Sequence, residues 1–400
     1  MAKIKVLAIS PDKFGVGKYR VIDPYTYISN NHGDEIDVDI VYDTPFEDTF
    51  FKKYQIVVFH SFIHKINHEI NLNRIKWLKN NGIKVVMDTD DYWAVDPRHP
   101  LFKQTEKNGF TKKRVELLQN SDYVSTTTPI YADNLSKKLN VKNTVVFPNA
   151  VNPQEEQFKP KLIKTTKTRF GWLGGSSHLA DLKLMESAIS IMHDTYKNKV
   201  QFVLCGFDLR GFINEMDAKT GKATKRPLKP TETVWYDYEK IFTNKYMALS
   251  DEYKKFLHMF VDAPTNQFES EPYIRRWTRD IQNYGTNYNY IDISLAPLVD
   301  TVFNNNKSQL KAIESGFHKK ALIASDVNPY KLDLVHGKNA LLVDPNKNHK
   351  MWLKHMKYLM NNPNLVEDLG ESLYETVKDK YSLATVSKQR VEFFKSIVNN

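Results

Sequence analysis

The sequence predicts an α/β protein made of two doubly wound domains, and three observations carry that expectation. Apolar runs of strand length alternate with amphipathic stretches through residues 1–150, at Ile4–Ile9, Ile36–Tyr42, Ile56–His60, Ile83–Asp88, Tyr123–Thr127 and Thr144–Phe147. The alternation breaks at Pro148-Asn-Ala-Val-Asn-Pro153 and the polar stretch Gln154–Thr168, then restarts with Arg169-Phe-Gly-Trp-Leu173. A chain of 400 residues also suits two domains of about 170–200 residues better than one.

The elements follow in order. Helices begin near Val16, Asn67, Thr111 and Pro129, between the strands of the first domain. In the second, the tight loop Gly174-Gly-Ser-Ser177 leads into a helix over Leu179–Tyr196 and a strand at Val200–Cys205. Residues 207–272 are too many for a simple connection. Their charged run Lys222–Lys229 and the aromatic, helix-like Trp235–Phe260 read as an insertion. A buried strand over Ile291–Leu298, a strand at Ala321–Asp326 and helices near Lys350–Met360 and Leu365–Lys380 complete this domain. The expected organisation is therefore 1–150, a linker 151–168, a second domain 169–382 and an amphipathic helix 383–400.

Composition narrows the function. The hydrophobic share of 41% and charged share of 26% are those of an ordinary globular protein. Cys205 is the single cysteine, so no internal disulfide forms and a reducing, cytoplasmic setting is expected. It lies in the apolar run Phe202-Val-Leu-Cys-Gly and reads as core, not nucleophile. No apolar stretch is long enough to span a bilayer, and the N-terminus runs directly into a strand without a signal-peptide core. The net charge of +10 suits a polyanionic partner: a phosphorylated donor, an anionic lipid surface, an acidic polysaccharide or nucleic acid.

The most informative stretch is Phe303-Asn-Asn-Asn-Lys307-Ser-Gln-Leu-Lys311-Ala-Ile-Glu314-Ser-Gly-Phe317. As a helix it shows Leu310, Ile313 and Phe317 on a core face and Lys307, Lys311 and Glu314 on an adjacent one. Lys307 and Glu314 would stand roughly 10 Å apart along the axis, about the span from a diphosphate to a ribose. A lysine at a helix start meets phosphate, and a carboxylate two turns on accepts from ribose hydroxyls. The same spacing also fits a solvated face with a Lys311–Glu314 ion pair.

Across Tyr290–Val343 the chain resembles the donor-nucleotide region of retaining GT-B glycosyltransferases of family 4. The pieces are Asp292-Ile-Ser-Leu-Ala-Pro-Leu, Lys307-Ser-x-x-Lys311-x-x-Glu314, Ala321-Leu-Ile-Ala-Ser-Asp326, Pro329-Tyr330 and Gly337-Lys-Asn-Ala-Leu-Leu-Val343. The family often has a second glutamate, which would fall at Asn306. The resemblance implies a GT-B fold of two Rossmann-like domains facing a cleft, with the last helix crossing back to the first domain. It implies a nucleotide-diphosphate sugar as donor (UDP or GDP), retention at the anomeric carbon and no metal. Donor binding would fall to Gly174, Gly175, Ser176, Lys307, Ser308, Lys311 and Glu314.

Three further constellations fit that cleft. Gly171-Trp-Leu-Gly174-Gly175-Ser176-Ser177-His178 is a strand–loop–helix junction whose backbone amides can approach an anion; it lacks the dinucleotide spacing, and His178 reads as a cap or surface residue. Pro11-Asp-Lys-Phe-Gly15-Val-Gly17-Lys-Tyr-Arg20 resembles the family's N-terminal glycine loop, with Arg20 able to fork onto phosphate. Met87-Asp88-Thr89-Asp90-Asp91-Tyr92-Trp93 ends a strand, where α/β sheets place ligands. Lacking companions for a metal cage, it points to acceptor recognition through Asp90, Asp91 and Trp93, with His60 on the neighbouring strand end, and the same carboxylates also fit capping of the next helix. Lys307, Asp90, Asp91 and His60 are the catalytic candidates. Tyr284, Tyr288 and Tyr290, with Arg275-Arg276-Trp277, form an aromatic–basic patch that also fits ordinary packing. The acceptor expected from the resemblance is a glycan or lipid-linked glycan, with peripheral membrane contact. A hydroxylated DNA base tracked by the basic insertion is the enzymatic alternative, and a GT-B-like nucleic-acid-binding or scaffold protein the non-enzymatic one.

Overall fold

The structure, a computed structural model, describes residues 3–161, 163, 165–208, 211–216, 223–243, 271–346 and 349–399. Lys222, residues 244–260 of the expected aromatic helix, much of the 207–272 insertion, two positions of the 151–168 linker and Asn400 lie outside them.

Two parallel six-stranded sheets, each covered by helices, organise the described residues. The first contains β1 (Ile4–Ile9), β2 (Ile36–Val41), β3 (Ile56–His60), β4 (Lys84–Asp88), β5 (Tyr123–Thr126) and β6 (Thr144–Val146), in the order β2-β1-β3-β4-β5-β6. Its crossovers carry α1 (Asp23–Asn31), α2 (His68–Asn80), α3 (Phe110–Asn120) and α4 (Pro129–Leu139). Sequence chemistry sets their starts. Asn67 caps α2 by accepting from the Ile70 N–H at 2.9 Å, and Thr128 caps α4 from the Tyr131 N–H at 3.2 Å, with Pro129 at the first helical position. The inner strands β3 and β4 are buried almost throughout, as a parallel sheet between helices requires, whereas the edge strand β2 alternates apolar residues with the exposed Asp37 and Asp39.

The second sheet contains β7 (Thr168–Leu173), β8 (Val200–Phe207), β11 (Tyr273–Trp277), β12 (Ile293–Ala296), β13 (Ala321–Ser325) and β14 (Leu341–Val343), in the order β11-β8-β7-β12-β13-β14. A separate antiparallel hairpin, β9 (Phe212–Met216) and β10 (Ala223–Pro227), lies between β8 and β11 in the chain. The helices of eight or more residues among the described residues here are α5 (Glu186–Tyr196), α6 (Val234–Thr243), α7 (Leu310–Phe317), α8 (His349–Met360), α9 (Pro363–Val377) and α10 (Leu383–Val398). Although α6 falls in the stretch read as an insertion, it puts Trp235, Tyr238 and Phe242 into the second domain's core. Phe158, from the polar stretch read as a linker, is buried with Leu298, Ile313 and Phe317.

Val391, Phe394 and Ile397 of α10 pack with Val6, Ala8, Tyr25 and Ile28 of the first domain. The two chain crossings lie side by side. The Val151 N–H donates to the Tyr381 carbonyl at 3.0 Å, and the Leu383 N–H donates to the Val151 carbonyl at 2.8 Å. Both sheets present their carboxyl ends to the space between the domains, the position where open α/β sheets bind ligands.

Candidate active site in the interdomain cleft

A cavity of about 680 Å³ lies between the domains. Phe14, Gly15, Tyr19, Asp90 and Asn149 line it from one side, and Gly174, Gly175, His178, Arg279, Tyr284, Lys311 and Glu314 from the other. A narrower pocket adjoins it through His178, lined by Asp96, His99, Asp181, Phe303 and Lys307.

The N-terminal glycine loop is built around Asp12, whose Oδ1 accepts from the N–H groups of Phe14 at 2.7 Å and Gly17 at 3.1 Å. A Cβ at Gly17 would stand 2.1 Å from the Asp12 carbonyl oxygen, so the turn admits only glycine. Gly17 is therefore structural, while Gly15 lines the cavity. A π-helical turn, Lys18–Ile22, follows. It turns Tyr19 toward the second domain and Arg20 into the first.

Arg20, expected to fork onto phosphate, is turned into the first domain and does not line the cavity. Its Nε and Nη2 donate to the Asp88 carboxylate at 2.9 and 2.7 Å, and Nη1 donates to the Phe147 carbonyl and Asn149 Oδ1 at 2.7 and 3.1 Å. The side chain is 1% exposed. Burial alone would raise the Asp88 carboxyl; the guanidinium outweighs it and holds the group below the usual range.

The remaining acidic residues divide. Asp90 Oδ1 lies 3.0 Å from His60 Nε2, and His60 Nδ1 lies 2.9 Å from Ser61 Oγ. Burial pushes Asp90 up, but the hydrogen bond and charge of His60, with Arg20 behind, hold it well below the usual carboxylate range. Asp90 thus only accepts, which fixes His60 Nε2 as the donor. Both ring nitrogens of His60 are engaged, and His60 does not line the cavity, whereas Asp90 does. His60, expected at the acceptor, instead holds Asp90, which does line the cavity. Ser61 holds this arrangement from the left-handed region, at φ 72°. Asp91, more exposed, faces Lys307 Nζ at 3.5 Å across the cleft. Trp93 is buried against Tyr92 and Tyr131, with centroids 3.9 and 6.2 Å away, so it is core and not an acceptor platform.

In the second domain the Gly174–Gly175 loop is pinned by Tyr238, whose hydroxyl donates to the Gly175 carbonyl at 3.1 Å and accepts from the His178 N–H at 2.7 Å. Nothing lies within 4 Å of a Cβ at Gly175, leaving its backbone open to the cavity. Ser176 faces a neighbouring hollow with Pro100 and Trp235. His178 makes no side-chain cap. Its Nδ1 pairs with Asp181 Oδ2 at 2.8 Å, and Asp181 Oδ1 accepts from the Val299 N–H and Asn304 Nδ2 at 2.8 and 3.1 Å. His178, expected as a cap or surface residue, does stand at the N-cap position of Leu179–Leu182, and its ring is tied to Asp181 three residues on. Cys205 is fully buried, and burial pushes its thiol up to about 12.

The donor stripe is not one helix. Asn304–Asn306 form a single tight turn, Lys307 is extended at φ −69° and ψ 165°, and α7 starts only at Leu310. Lys307 and Ser308 therefore sit on the entering loop. Asn306 is buried, donating to the Val302 carbonyl at 2.7 Å and accepting from Asn134 Nδ2 at 2.9 Å. Ile313 and Phe317 face the core as read. The Lys311–Glu314 ion pair exists, at 2.9 Å, but on no solvated face. Glu314 is 0% exposed and accepts from the hydroxyls of Tyr19 at 2.8 Å, Tyr288 at 3.0 Å and Tyr284. Burial, reinforced by this carboxylate, pushes all three tyrosines well above their ordinary value. Arg275 and Arg276 are buried in β11, Arg275 on Glu239 and Arg276 against the Tyr290 ring, so they form no surface patch. Sequence reading missed Tyr19, Asn149 and Arg279, each of which lines the cavity from a stretch without local periodicity.

Contacts cross the cleft at Tyr19–Glu314, Asp91–Lys307, Asn134–Asn306 and Asn149–Ser308, the last at 2.9 Å. Among the described residues, no three His, Cys, Asp or Glu side chains gather into a metal-holding group, and no helix is long and apolar enough to cross a membrane.

No protein-family profile matches the sequence, and no curated protein matches it. Solved structures do. Sucrose-phosphate synthase from Thermosynechococcus elongatus aligns over 99% of this chain and 99% of its own, with a TM-score of 0.65 at 12% identity. A glycosyltransferase from Rickettsia africae aligns over 100% of both chains, with a TM-score of 0.63 at 13% identity. HepE of Anabaena, in complex with UDP and glucose, aligns over 98% of this chain and 100% of its own, with a TM-score of 0.62 at 10% identity. The architecture is thus the GT-B fold of glycosyltransferases, two parallel α/β domains about a common cleft.

Proposed function

We propose that the protein is a metal-independent retaining glycosyltransferase. It moves a sugar from a nucleotide-diphosphate donor, UDP- or GDP-linked, to a hydroxyl of a glycan or lipid-linked glycan. One observation carries the reading: a cavity of nucleotide-sugar size at the carboxyl ends of both sheets, with an open glycine backbone and the lysines of the donor segment around it. A GT-B neighbour holds UDP and glucose, which supports this donor class.

In this reading the diphosphate lies by the Gly174–Gly175 backbone, with Lys311 and Arg279 in the main cavity and Lys307 at its edge. As the bond from C1 to the phosphate oxygen breaks, charge builds on the departing diphosphate. These cations, already in place, stabilise it without reorganisation. The acceptor hydroxyl is oriented by Asp90, itself held by His60, and gives its proton to the leaving phosphate as its oxygen bonds to C1. Glu314 accepts from the ribose hydroxyls in place of Tyr19 or Tyr284.

Transfer to DNA gains no specific support. Arg226 in the basic run is spent on Glu232, at 2.8 and 2.7 Å. Thermal unfolding with a panel of nucleotide sugars tests the proposal. A donor at a hundredfold over its Kd contributes about 2.7 kcal/mol, or roughly 5–11 °C. If no UDP- or GDP-sugar, and neither free nucleotide, moves the transition, the donor assignment is wrong.

A further inference from the structure

A second large cavity, about 650 Å³, lies on the flank of the C-terminal domain, away from the cleft. It opens between α8 and β14, the edge strand of its sheet. Leu341, Leu353 and Tyr358 give it an apolar wall, and Tyr358 is 50% exposed. Lys350, Lys354 and Lys357 rim it, and no carboxylate is among the described residues that line it. The lysines follow at i, i+4 and i+7, so they form one row roughly 10 Å long. Trp352, Met356 and Leu359 of the same helix are buried in the core, which fixes the lysine row outward. Nor does α8 carry any acidic residue of its own beside Lys354 and Lys357.

The edge strand is not open to strand addition. His355 Nε2 donates to the Leu342 carbonyl at 3.1 Å, and His336 Nδ1 accepts from the Leu342 N–H at 3.0 Å. Both outward backbone groups are covered, which removes an added strand as the occupant. The face combines point charges with apolar surface and an interfacial tyrosine, and it contains no arginine fork of the kind that reads phosphodiester backbones. Lysine stems lie along apolar surface while their ammonium groups reach outward.

We infer that this face docks on an anionic phospholipid surface, with a lipid headgroup in the α8–β14 cavity and the lysine row on neighbouring phosphates. The inference does not rest on the glycosyltransferase reading. It fits a lipid-linked acceptor, because it would hold the cleft near a membrane without any spanning segment.

The test is co-sedimentation of the full chain with phosphatidylcholine vesicles, with and without an equal part of phosphatidylglycerol. Binding is expected only to the anionic vesicles and should be lost in ~1 M salt, where screening acts within about 3 Å. Lys354→Ala with Lys357→Ala should weaken it about 30-fold, at roughly fivefold per lysine. Tyr358→Ser should weaken it separately. Lys225→Ala with Lys229→Ala, in and just after the β9–β10 hairpin and outside this cavity, should leave it unchanged. Unfolding curves identify any variant that fails to fold, and Tyr358→Ser then serves as the second readout. No binding at low salt, equal binding to neutral vesicles, or wild-type binding by both the lysine pair and the tyrosine variant overturns the inference. So does DNA duplex binding that is tighter than vesicle binding and lost in the same lysine variant.

Discussion

Replacing Arg20 with methionine separates two roles for one residue: a ligand to donor phosphate, or a buried support. The structure gives it four hydrogen bonds, two of them to Asp88, and no solvent. Methionine keeps most of the volume and deletes the charge. Asp88 would then keep the Ser125 hydroxyl, at 2.6 Å, and little else. Removing one partner of a buried ion pair costs about 3–5 kcal/mol, a large part of the roughly 5–15 kcal/mol that holds a typical domain. At about 2–4 °C per kcal/mol, the transition should fall by roughly 6–20 °C. The pH dependence has a definite sign. In the wild type Asp88 is depressed below its unfolded value, so the pair's contribution is present above that value, near 4, and disappears as pH falls through the folded one. In Arg20→Met the unpaired carboxyl rises above its unfolded value. Its penalty is then largest at neutral pH and shrinks on acidification. Urea unfolding from pH 7 down to about 2, followed by intrinsic fluorescence, checks both signs, and donor titration of the folded fraction checks binding. If Arg20→Met unfolds like the wild type but loses donor affinity, the support role is refuted and the phosphate role restored.

Other expectations follow from the cleft. Lys307→Ala should lower kcat/KM at least ~10²-fold in folded protein, because a cation at the diphosphate is gone; activity within a few-fold of wild type removes Lys307 from the reaction. Glu314→Gln should weaken donor binding by about 1.5–3 kcal/mol, whereas Tyr19→Phe should leave it equal or tighter, since it deletes the hydroxyl that competes for the same carboxylate. Calorimetry showing both variants equally weakened would mean that Tyr19 and Glu314 act together on the donor. Transfer should survive EDTA, and activity lost to the chelator and restored by Mn²⁺ or Mg²⁺ would reassign the acidic residues.

Much of this architecture was legible because parallel strands buried on both faces write themselves as short apolar runs. Ile4–Ile9 and Ile56–His60 match the observed strands to the residue. What the sequence concealed is nonlocal. Tyr19 and Glu314 are 295 positions apart, and no spacing rule joins them. The π turn at Lys18–Ile22 rotates Arg20 inward, an effect that a 3.6-residue period cannot express. The break before Leu310 was hidden for another reason: the lysine–glutamate spacing is helical even though only its second half is helix. Residue types around the cleft were readable, but their partners were not. Asp88 and Asp90 look alike in sequence, yet one is consumed by Arg20 and only the other faces the cavity.

The return of α10 to the first sheet has a consequence for synthesis. Val391, Phe394 and Ile397 belong to the same core as Val6, Ile28 and Ile56. That core stays open while the whole C-terminal domain is being made. At about 5–20 residues per second, the nascent first domain waits roughly 12–50 s with an apolar flank uncovered. The second domain, whose strands are all in hand by then, has the chance to finish before the first. A ribosome-released chain ending before Leu383 should therefore expose the side of the sheet that α10 covers and become a client for chaperones, while a chain that includes α10 closes the first domain when that helix arrives.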